Sequence, residues 1–303
     1  MPNAGWQGAE LPLLDCSSEE GISMMALSSK SCSLPRHASF EPLLARPVDV
    51  PLSEVGHTFF SEHSSWRVPC DTACAAGRSR GSSGTSDTVH RFVVQRATSQ
   101  PLNYRLNIMA VSAAAGPTGG VSRSNLGGYQ SKADLFVAGE EAESDRLLSS
   151  GRVLHGIVSA AMEELTAVSI GREPKPADGP RDAYAWLNVN KQQDSNMMHI
   201  HDPAKWSAVY FVSAGGASAR AANAGGPLAG RLVFRGARIS GTASHSYLAV
   251  PPEPGSLWLF SGGIPHCVMP FVPAARGAPG ALQPRVSVAI NLTDERDKAP
   301  RPM

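Results

Sequence analysis

The chain has 303 residues, of which 42% are apolar, enough for one sizeable hydrophobic core or two small ones. Its 27 basic and 26 acidic residues leave a formal net charge of +1, so no long-range field favours nucleic acid or a membrane surface as a partner. No apolar run approaches the roughly 20 residues of a membrane-spanning helix, and we identify no secretory signal.

The first 100 residues differ in composition from the remainder. Ser28–Ser33 and Ala73–Ser86 are rich in Ser, Gly and Ala and show no sustained period of 2 or 3.6 residues. We therefore expect residues 1–100 to form a largely disordered or low-complexity extension, in which only Val89–Val94 reads as a strand. The histidines of this part are expected to be solvated loop residues: His37, His57, His63 and His90.

The cysteines are an odd and scattered set: Cys16, Cys32, Cys70, Cys74 and Cys267. Their spacing lacks the second close pair that a structural zinc site needs. Free thiols in a reducing compartment are the expectation, so we predict an intracellular and cytoplasmic protein. Organelle targeting by the first 100 residues stays open.

From about Leu102 the sequence becomes patterned, and we expect one domain over residues 101–295 with a tail at residues 296–303. Asp145–Leu165 carries apolar residues at close to helical spacing, which predicts one amphipathic helix. Short β-rich runs separated by Gly/Pro turns follow: Tyr184–Val189, Met197–His201, Ser207–Val212, Arg231–Arg235, Tyr247–Val250, Ser256–Phe260, His266–Phe271 and Arg285–Leu292. This order predicts a mainly β protein, a sandwich or jelly roll with one supporting helix packed outside.

An H-x-H pair is the first candidate for chemistry. His199 and His201 are two residues apart, so in a strand their side chains point to the same face. His266 follows a Gly/Pro turn some 65 positions later, at the start of another strand. Two histidines from one strand and one from a distant strand can bind a metal ion and leave positions open. Asp202 is the competing ligand, provided that a β-bulge turns it to the same face.

Arg285 and Ser287 form the second candidate. They share one face of a predicted strand, while the apolar Val286, Val288 and Ile290 face the other way. A guanidinium group binds a carboxylate with two charge-assisted hydrogen bonds, and a neighbouring hydroxyl adds a third. This strand is therefore expected to place an anion site at the wall of a pocket.

The order of these motifs resembles the 2-oxoglutarate/Fe(II) oxygenase superfamily. The ordered segments that carry the resemblance are Ser124–Ser131, Trp186–Asn190, the H-x-H pair, Trp206–Phe211, Gly230–Phe234, Pro254–Phe260, Pro265–His266 and Arg285–Asn291. Within the superfamily the sequence looks most like a poorly characterised branch with an H-x-H-P-type motif. The usual iron motif of the superfamily is H-x-D, whereas His201 stands in the third position here.

The resemblance implies a double-stranded β-helix, a jelly roll, that binds Fe(II) and 2-oxoglutarate. Fe(II) is then held by His199, His201 and His266. The far carboxylate of 2-oxoglutarate pairs with Arg285, helped by Ser287 and by Tyr210 or Asn188. The reaction releases succinate and CO₂, and hydroxylation of a substrate is the expected outcome. The pocket wall is expected to contain aromatic residues: Trp186, Trp206, Trp258 and Phe260.

Two alternatives from other classes stay open at this point. A cupin-like metal-binding protein would hold a metal without 2-oxoglutarate, and a non-catalytic pseudoenzyme would hold neither. The substrate, a small molecule or a protein, is not identified by the sequence. Neither nucleic acid nor a membrane is expected as a partner.

Overall fold

The computed structural model describes residues 48–49, 59–68, 88–117, 119–136, 145–170, 182–215, 228–238, 245–272 and 283–293. His37, His57 and the predicted tail at residues 296–303 lie outside these ranges. Within them, 13 strands run in chain order: β1 (Val48–Asp49), β2 (Phe60–Arg67), β3 (Thr88–Val94), β4 (Asn125–Leu126), β5 (Tyr129–Gln130), β6 (Asp182–Asn190), β7 (Ser195–His199), β8 (Trp206–Ala214), β9 (Leu232–Arg238), β10 (His245–Val250), β11 (Ser256–Ser261), β12 (His266–Val268) and β13 (Arg285–Thr293).

The strands form two antiparallel sheets. The main sheet has the order β1-β2-β3-β11-β8-β13-β6-β5, and the minor sheet has the order β10-β9-β12-β7-β4. Strands that are far apart in the chain are neighbours in both sheets, as in β11 beside β3 and β12 beside β7. The described residues therefore confirm the prediction of a mainly β jelly roll.

Side-chain alternation on β13 separates the two faces of the main sheet. Val286, Val288 and Ile290 join the hydrophobic core that the helices cover. Arg285 and Ser287 point the other way and line a cavity together with residues of the minor sheet. The predicted division of this strand into a core face and a pocket face is confirmed, because successive side chains of a strand point to opposite sides.

Two helices lie among the described residues: α1 (Arg96–Ala115) and α2 (Asp145–Ile170). The prediction of one amphipathic helix over Asp145–Leu165 is confirmed by α2, which continues to Ile170. Neither α1 nor α2 combines the length and the apolar character that crossing a membrane requires.

Helix α1 was not predicted. Its buried side carries Leu102, Leu106 and Ala110 at four-residue spacing, but its outer side also carries apolar residues, with Tyr104 70% exposed and Ile108 50% exposed. Apolar residues on both sides remove the amphipathic period that would reveal a helix. Pro101, which usually interrupts a helix interior, hides the pattern further.

The boundary expected near residue 100 is wrong for the described residues on its N-terminal side. Strand β3 confirms the predicted Val89–Val94 strand and pairs with β11, and β2 pairs with β3 in turn. Phe60 and Phe92 are buried in the core that the helices cover. Strand β2 escaped prediction because Phe60 and Trp66 are its only apolar residues. These two strands belong to the main sheet and not to a separate extension.

Candidate functional site

Three histidine side chains converge between the two sheets. His199 ends β7 and His266 begins β12, and the two residues are direct cross-strand partners. The Nε2 atom of His201 lies 3.0 Å from Nε2 of His199 and 3.1 Å from Nε2 of His266. Potential ligand atoms of the three rings all lie within 4.8 Å of one another. The structure thus brings together the three histidines that the sequence singled out.

The position of His201 differs from the sequence expectation in one respect. Strand β7 ends at His199, so His201 lies beyond the strand that was expected to hold both residues. The backbone N–H of His201 donates to the Gly262 carbonyl at 2.8 Å, and its own carbonyl accepts from the Ala204 N–H at 2.6 Å. These backbone bonds, and not strand alternation, turn the His201 ring toward the other two.

The outer nitrogens of two rings fix their tautomers. The Nδ1 atom of His199 lies 2.7 Å from the Met197 carbonyl, and that of His266 lies 2.9 Å from the Ile264 carbonyl. A carbonyl oxygen only accepts, so both Nδ1 atoms carry hydrogen and both Nε2 atoms present a lone pair. A hydrogen on Nε2 of His201 would satisfy only one of these lone pairs. A cation that accepts electron pairs fits this arrangement, and a carbonyl behind each ligand ring is common at metal sites.

Burial keeps the three rings neutral. It lowers the pKa of His199, and it lowers that of His266 well below the usual range with help from the neighbouring histidines. The pKa of His201 falls to about 4, through burial and the nearby His199, while a hydrogen bond with Asn291 opposes the change. Neutral imidazole is the form that binds metal ions, so no proton has to leave these rings near pH 7.

Asp202, the competing ligand, is exposed and takes no part in this group. Among the described residues, the group consists of the three histidines without a carboxylate. The predicted bulge that would turn Asp202 toward the other candidates is not present at this position, because β7 has already ended. The geometry therefore favours three imidazole ligands over a mixed set.

Arg285 is fully buried, with 0% of its surface exposed. Its Nη1 donates to Oδ1 of Asn190 at 3.0 Å and to Oγ of Ser287 at 3.3 Å. The Nε and Nη2 atoms have no partner, and the guanidinium carbon lies 5.1 Å from the centre of the Phe211 ring. Burial lowers the pKa of Arg285 to about 10, which still leaves the group charged near pH 7. A buried cation with unsatisfied donors is costly unless an anion meets it.

Arg285 and the three histidines line the same cavity. The cavity has a polar side and an apolar side, and its lining includes Ser124, Trp186, Asn188, Asn196, Phe260 and Ser287. Trp186 stacks on His201 with ring centres 5.6 Å apart, and Phe260 packs edge-on against His266 at 4.7 Å. Trp206 and Trp258, also expected in the wall, are not among the lining residues.

Tyr210 does not belong to this pocket, which corrects the expectation that it helps to hold 2-oxoglutarate. Tyr210 is paired with Val288, and both residues face the helices. The Tyr210 hydroxyl makes a 2.7 Å hydrogen bond with the Asn103 side chain of α1. Burial raises the pKa of Tyr210 above its usual value, so the hydroxyl stays protonated. The expected helper Asn188 does line the cavity.

Two buried asparagines of the polar side were not identified from the sequence. Asn190 bonds Arg285, and Asn196 lies between Asn190 and Ser124. A signal for Asn190 was present, because alternation from Asn188 along β6 places both side chains on one face. Asn196 carried no such signal, since its position depends on how the two sheets pack.

Comparison with known proteins adds a family assignment for part of the chain. Residues 184–291 match the family model described as "Putative 2OG-Fe(II) oxygenase". No curated protein matches the chain.

Several solved structures are similar to the chain at low identity. A prolyl-4-hydroxylase from Pseudomonas putida is 16% identical, with 64% of this chain and 88% of that one covered and a TM-score of 0.41. A viral collagen prolyl hydroxylase from Paramecium bursaria Chlorella virus-1 is 9% identical, with coverages of 62% and 89% and a TM-score of 0.33. The epimerase SnoN from nogalamycin biosynthesis is 9% identical, with coverages of 67% and 78% and a TM-score of 0.39.

Proposed function

We propose that His199, His201 and His266 hold Fe(II) and that Arg285 binds the far carboxylate of 2-oxoglutarate. The match of residues 184–291 to the family model described as "Putative 2OG-Fe(II) oxygenase" supports this proposal. The three histidines and Arg285 line one cavity. The proposed reaction is hydroxylation of a substrate whose identity stays open. Bound iron and 2-oxoglutarate would supply the chemistry with O₂ as the oxidant, so that 2-oxoglutarate, O₂ and a substrate C–H bond would give succinate, CO₂ and a hydroxylated substrate.

The unpartnered Nε and Nη2 atoms of Arg285 carry this proposal. In a metal-binding protein without an acidic cosubstrate, no anion would offset the cost of burying this guanidinium group with unsatisfied donors. Two free donors on one planar group match the two oxygens of a carboxylate. Ser287 and Asn188 line the same cavity, and we propose that they contact the same ligand.

The remaining residues of the cavity position the rings of the proposed metal ligands. Trp186 stacks on the ring of His201 and Phe260 packs edge-on against that of His266, and these contacts hold two of the proposed ligand rings in place. The carbonyls of Met197 and Ile264 keep hydrogen on the outer nitrogens of His199 and His266. Protein side chains in such a site orient the cofactor and exclude competing reactions, while the cofactor supplies the reactivity.

The deciding experiment is an anaerobic titration of the Fe(II)-loaded full chain with 2-oxoglutarate. We expect a metal-to-ligand charge-transfer band that saturates at one 2-oxoglutarate per iron, followed by CO₂ release when air is admitted. Stoichiometric iron without the band would favour the cupin-like alternative. Binding of neither iron nor 2-oxoglutarate would favour the pseudoenzyme.

The class of substrate and the cellular location belong to the same proposal. The proposed substrate is either a small molecule or a protein side chain. A reducing intracellular compartment, such as the cytoplasm, suits both the scattered cysteines and a site that uses Fe(II).

A further inference from the structure

We propose that Asn190 is a positioning residue that keeps Arg285 available to an incoming anion by serving as a neutral hydrogen-bond acceptor. This inference rests on the proposed function, since the anion is the far carboxylate of 2-oxoglutarate. It concerns a residue to which neither the sequence motifs nor the family assignment gives a role.

Asn190 faces Arg285 directly across two neighbouring strands. The two residues are register partners in the β6–β13 pairing, and Asn190 is only 2% exposed. The guanidinium group only donates hydrogen bonds, so the amide oxygen of Asn190 must face it. This bond, together with the one to Ser287, occupies Nη1 alone and leaves Nε and Nη2 for a ligand.

A short chain of hydrogen bonds orients the Asn190 amide. Its Nδ2 donates to Oδ1 of Asn196 at 3.5 Å, and Nδ2 of Asn196 donates to Oγ of Ser124 at 3.4 Å. Asn196 and Ser124 both line the cavity. The chain therefore extends from Arg285 along the polar wall to the segment before β4.

The neutral charge of Asn190 matters as much as its position. In the part of the chain that the structure describes, Arg285 makes no ion pair, and its hydrogen bonds go to the neutral side chains of Asn190 and Ser287. A carboxylate at position 190 would bond Arg285 with charge assistance and would neutralise it inside the protein. Such a pair would stabilise the ligand-free fold and compete with 2-oxoglutarate, whereas an amide orients the cation without neutralising it.

The test is the nearly isosteric substitution Asn190→Asp in the full chain. We expect the unfolding temperature of the metal-free protein to rise by about 2–4 °C. We also expect the dissociation constant of 2-oxoglutarate for the Fe(II)-loaded protein, measured anaerobically by calorimetry, to rise at least about tenfold. A residue with a merely structural role would not move stability and affinity in opposite senses.

Asn103→Asp is the matched control, because Asn103 lies on α1 away from the cavity and contacts Tyr210. Its 2-oxoglutarate affinity should equal that of the wild type. Asn190→Ser is the second variant, neutral and too short to reach Arg285, and it should weaken 2-oxoglutarate binding at least about threefold with iron binding retained. If Asn190→Asp does not fold, the affinity of Asn190→Ser for 2-oxoglutarate decides whether Asn190 positions Arg285.

The outcomes separate this inference from the proposed function. A wild-type protein that binds iron but not 2-oxoglutarate overturns both. Wild-type binding together with unchanged affinity in Asn190→Asp overturns only the role of Asn190. Unchanged 2-oxoglutarate affinity in Asn190→Ser, or a loss of both stability and affinity in Asn190→Asp, would also overturn only the role of Asn190.

Discussion

Buried histidines occur on the helix-covered face of the main sheet as well as between the sheets, and the two groups differ in where their nitrogens point. On the helix-covered face, His63 lies opposite Phe92 and stacks on its ring at 4.1 Å. Both ring nitrogens of His63 and Nδ1 of His90 lack a partner. Burial lowers the pKa of His63 to about 4 and, with help from His63, that of His90 to about 3. Neither is the solvated loop residue that the sequence led us to expect.

Between the sheets the pKa values are also lowered, yet the geometry differs. There the outer nitrogen of two rings is bonded to a carbonyl and the inner nitrogens meet at one point. A lowered pKa is therefore common to both groups and identifies neither as functional. Convergent lone pairs beside a cavity distinguish a ligand set from histidines that only fill a core.

The sharpest test of this difference is iron binding. We expect His199→Ala, His201→Ala and His266→Ala each to abolish stoichiometric Fe(II) binding with the fold retained, because each removes one of three converging nitrogens. The measurement is bound iron per chain after desalting, with circular dichroism as the check on folding. His63→Phe and Asp202→Ala are the controls and should bind iron fully. Loss of iron in Asp202→Ala with full binding in His201→Ala would replace our ligand set with one that contains the carboxylate.

The next largest effect is expected at Arg285. Removing one partner of a buried, hydrogen-bonded charge pair costs about 2–5 kcal/mol. Since about 1.4 kcal/mol corresponds to a tenfold change in affinity, Arg285→Ala should raise the dissociation constant of 2-oxoglutarate roughly 30-fold or more. Iron binding should stay unchanged. Arg285→Lys should recover part of the loss, since an ammonium group cannot form the bidentate bond. Equal 2-oxoglutarate affinity in Arg285→Ala and wild type would contradict the anion site.

His63 and His90, on the helix-covered face, should affect the stability of the protein and not its iron binding. The unfolded chain takes up protons at His63 and His90 near pH 6.5, whereas the folded chain does so only near pH 4 and pH 3. The free energy of unfolding should fall as the pH drops below about 6.5, by on the order of 2 kcal/mol per histidine at pH 5. The double variant His63→Phe/His90→Phe should lose this part of the acid dependence in denaturant titrations at pH 7 and pH 5. If the free energy of unfolding changes equally between pH 7 and pH 5 in the wild type and the variant, these rings do not titrate as their burial requires.

The smallest effect is expected at Tyr210. Tyr210→Phe removes one buried hydrogen bond to Asn103 and should lower the free energy of unfolding by about 1 kcal/mol. The 2-oxoglutarate affinity should stay at the wild-type value, because the side chain points away from the cavity. A fall in affinity would show that Tyr210 contributes to the 2-oxoglutarate site.

The sequence predicted local features well where alternation determined them. The faces of β13 followed from the apolar pattern at Val286, Val288 and Ile290, so Arg285 and Ser287 were placed on the correct side. The same alternation on β8 places Tyr210 on the core face, where it pairs with Val288. The expectation that Tyr210 lines the pocket rested on the family resemblance and not on its strand face. Helix α1 and strand β2 were missed because their apolar residues do not follow the expected period.

The convergence of the three histidines could not be derived from local pattern. It depends on β12 pairing with β7, which joins His266 to His199 across 67 positions, and on the bond from His201 to Gly262. Asn196 reaches the polar wall for a similar reason, through the contact of one sheet with the other. Such positions are set by tertiary packing, which a period of 2 or 3.6 does not encode.

Strand β13 lies between β6 and β8 in the middle of the main sheet, although it is the last of the described strands in chain order. A chain emerging from the ribosome therefore exposes the facing edges of β6 and β8 until residues 285–293 are available. Pairings between distant segments make folding slow and leave such edges open to wrong partners. Arg285 arrives on this same strand, so 2-oxoglutarate cannot guide the early stages of folding. Its stabilising effect begins only once the sheet has been completed.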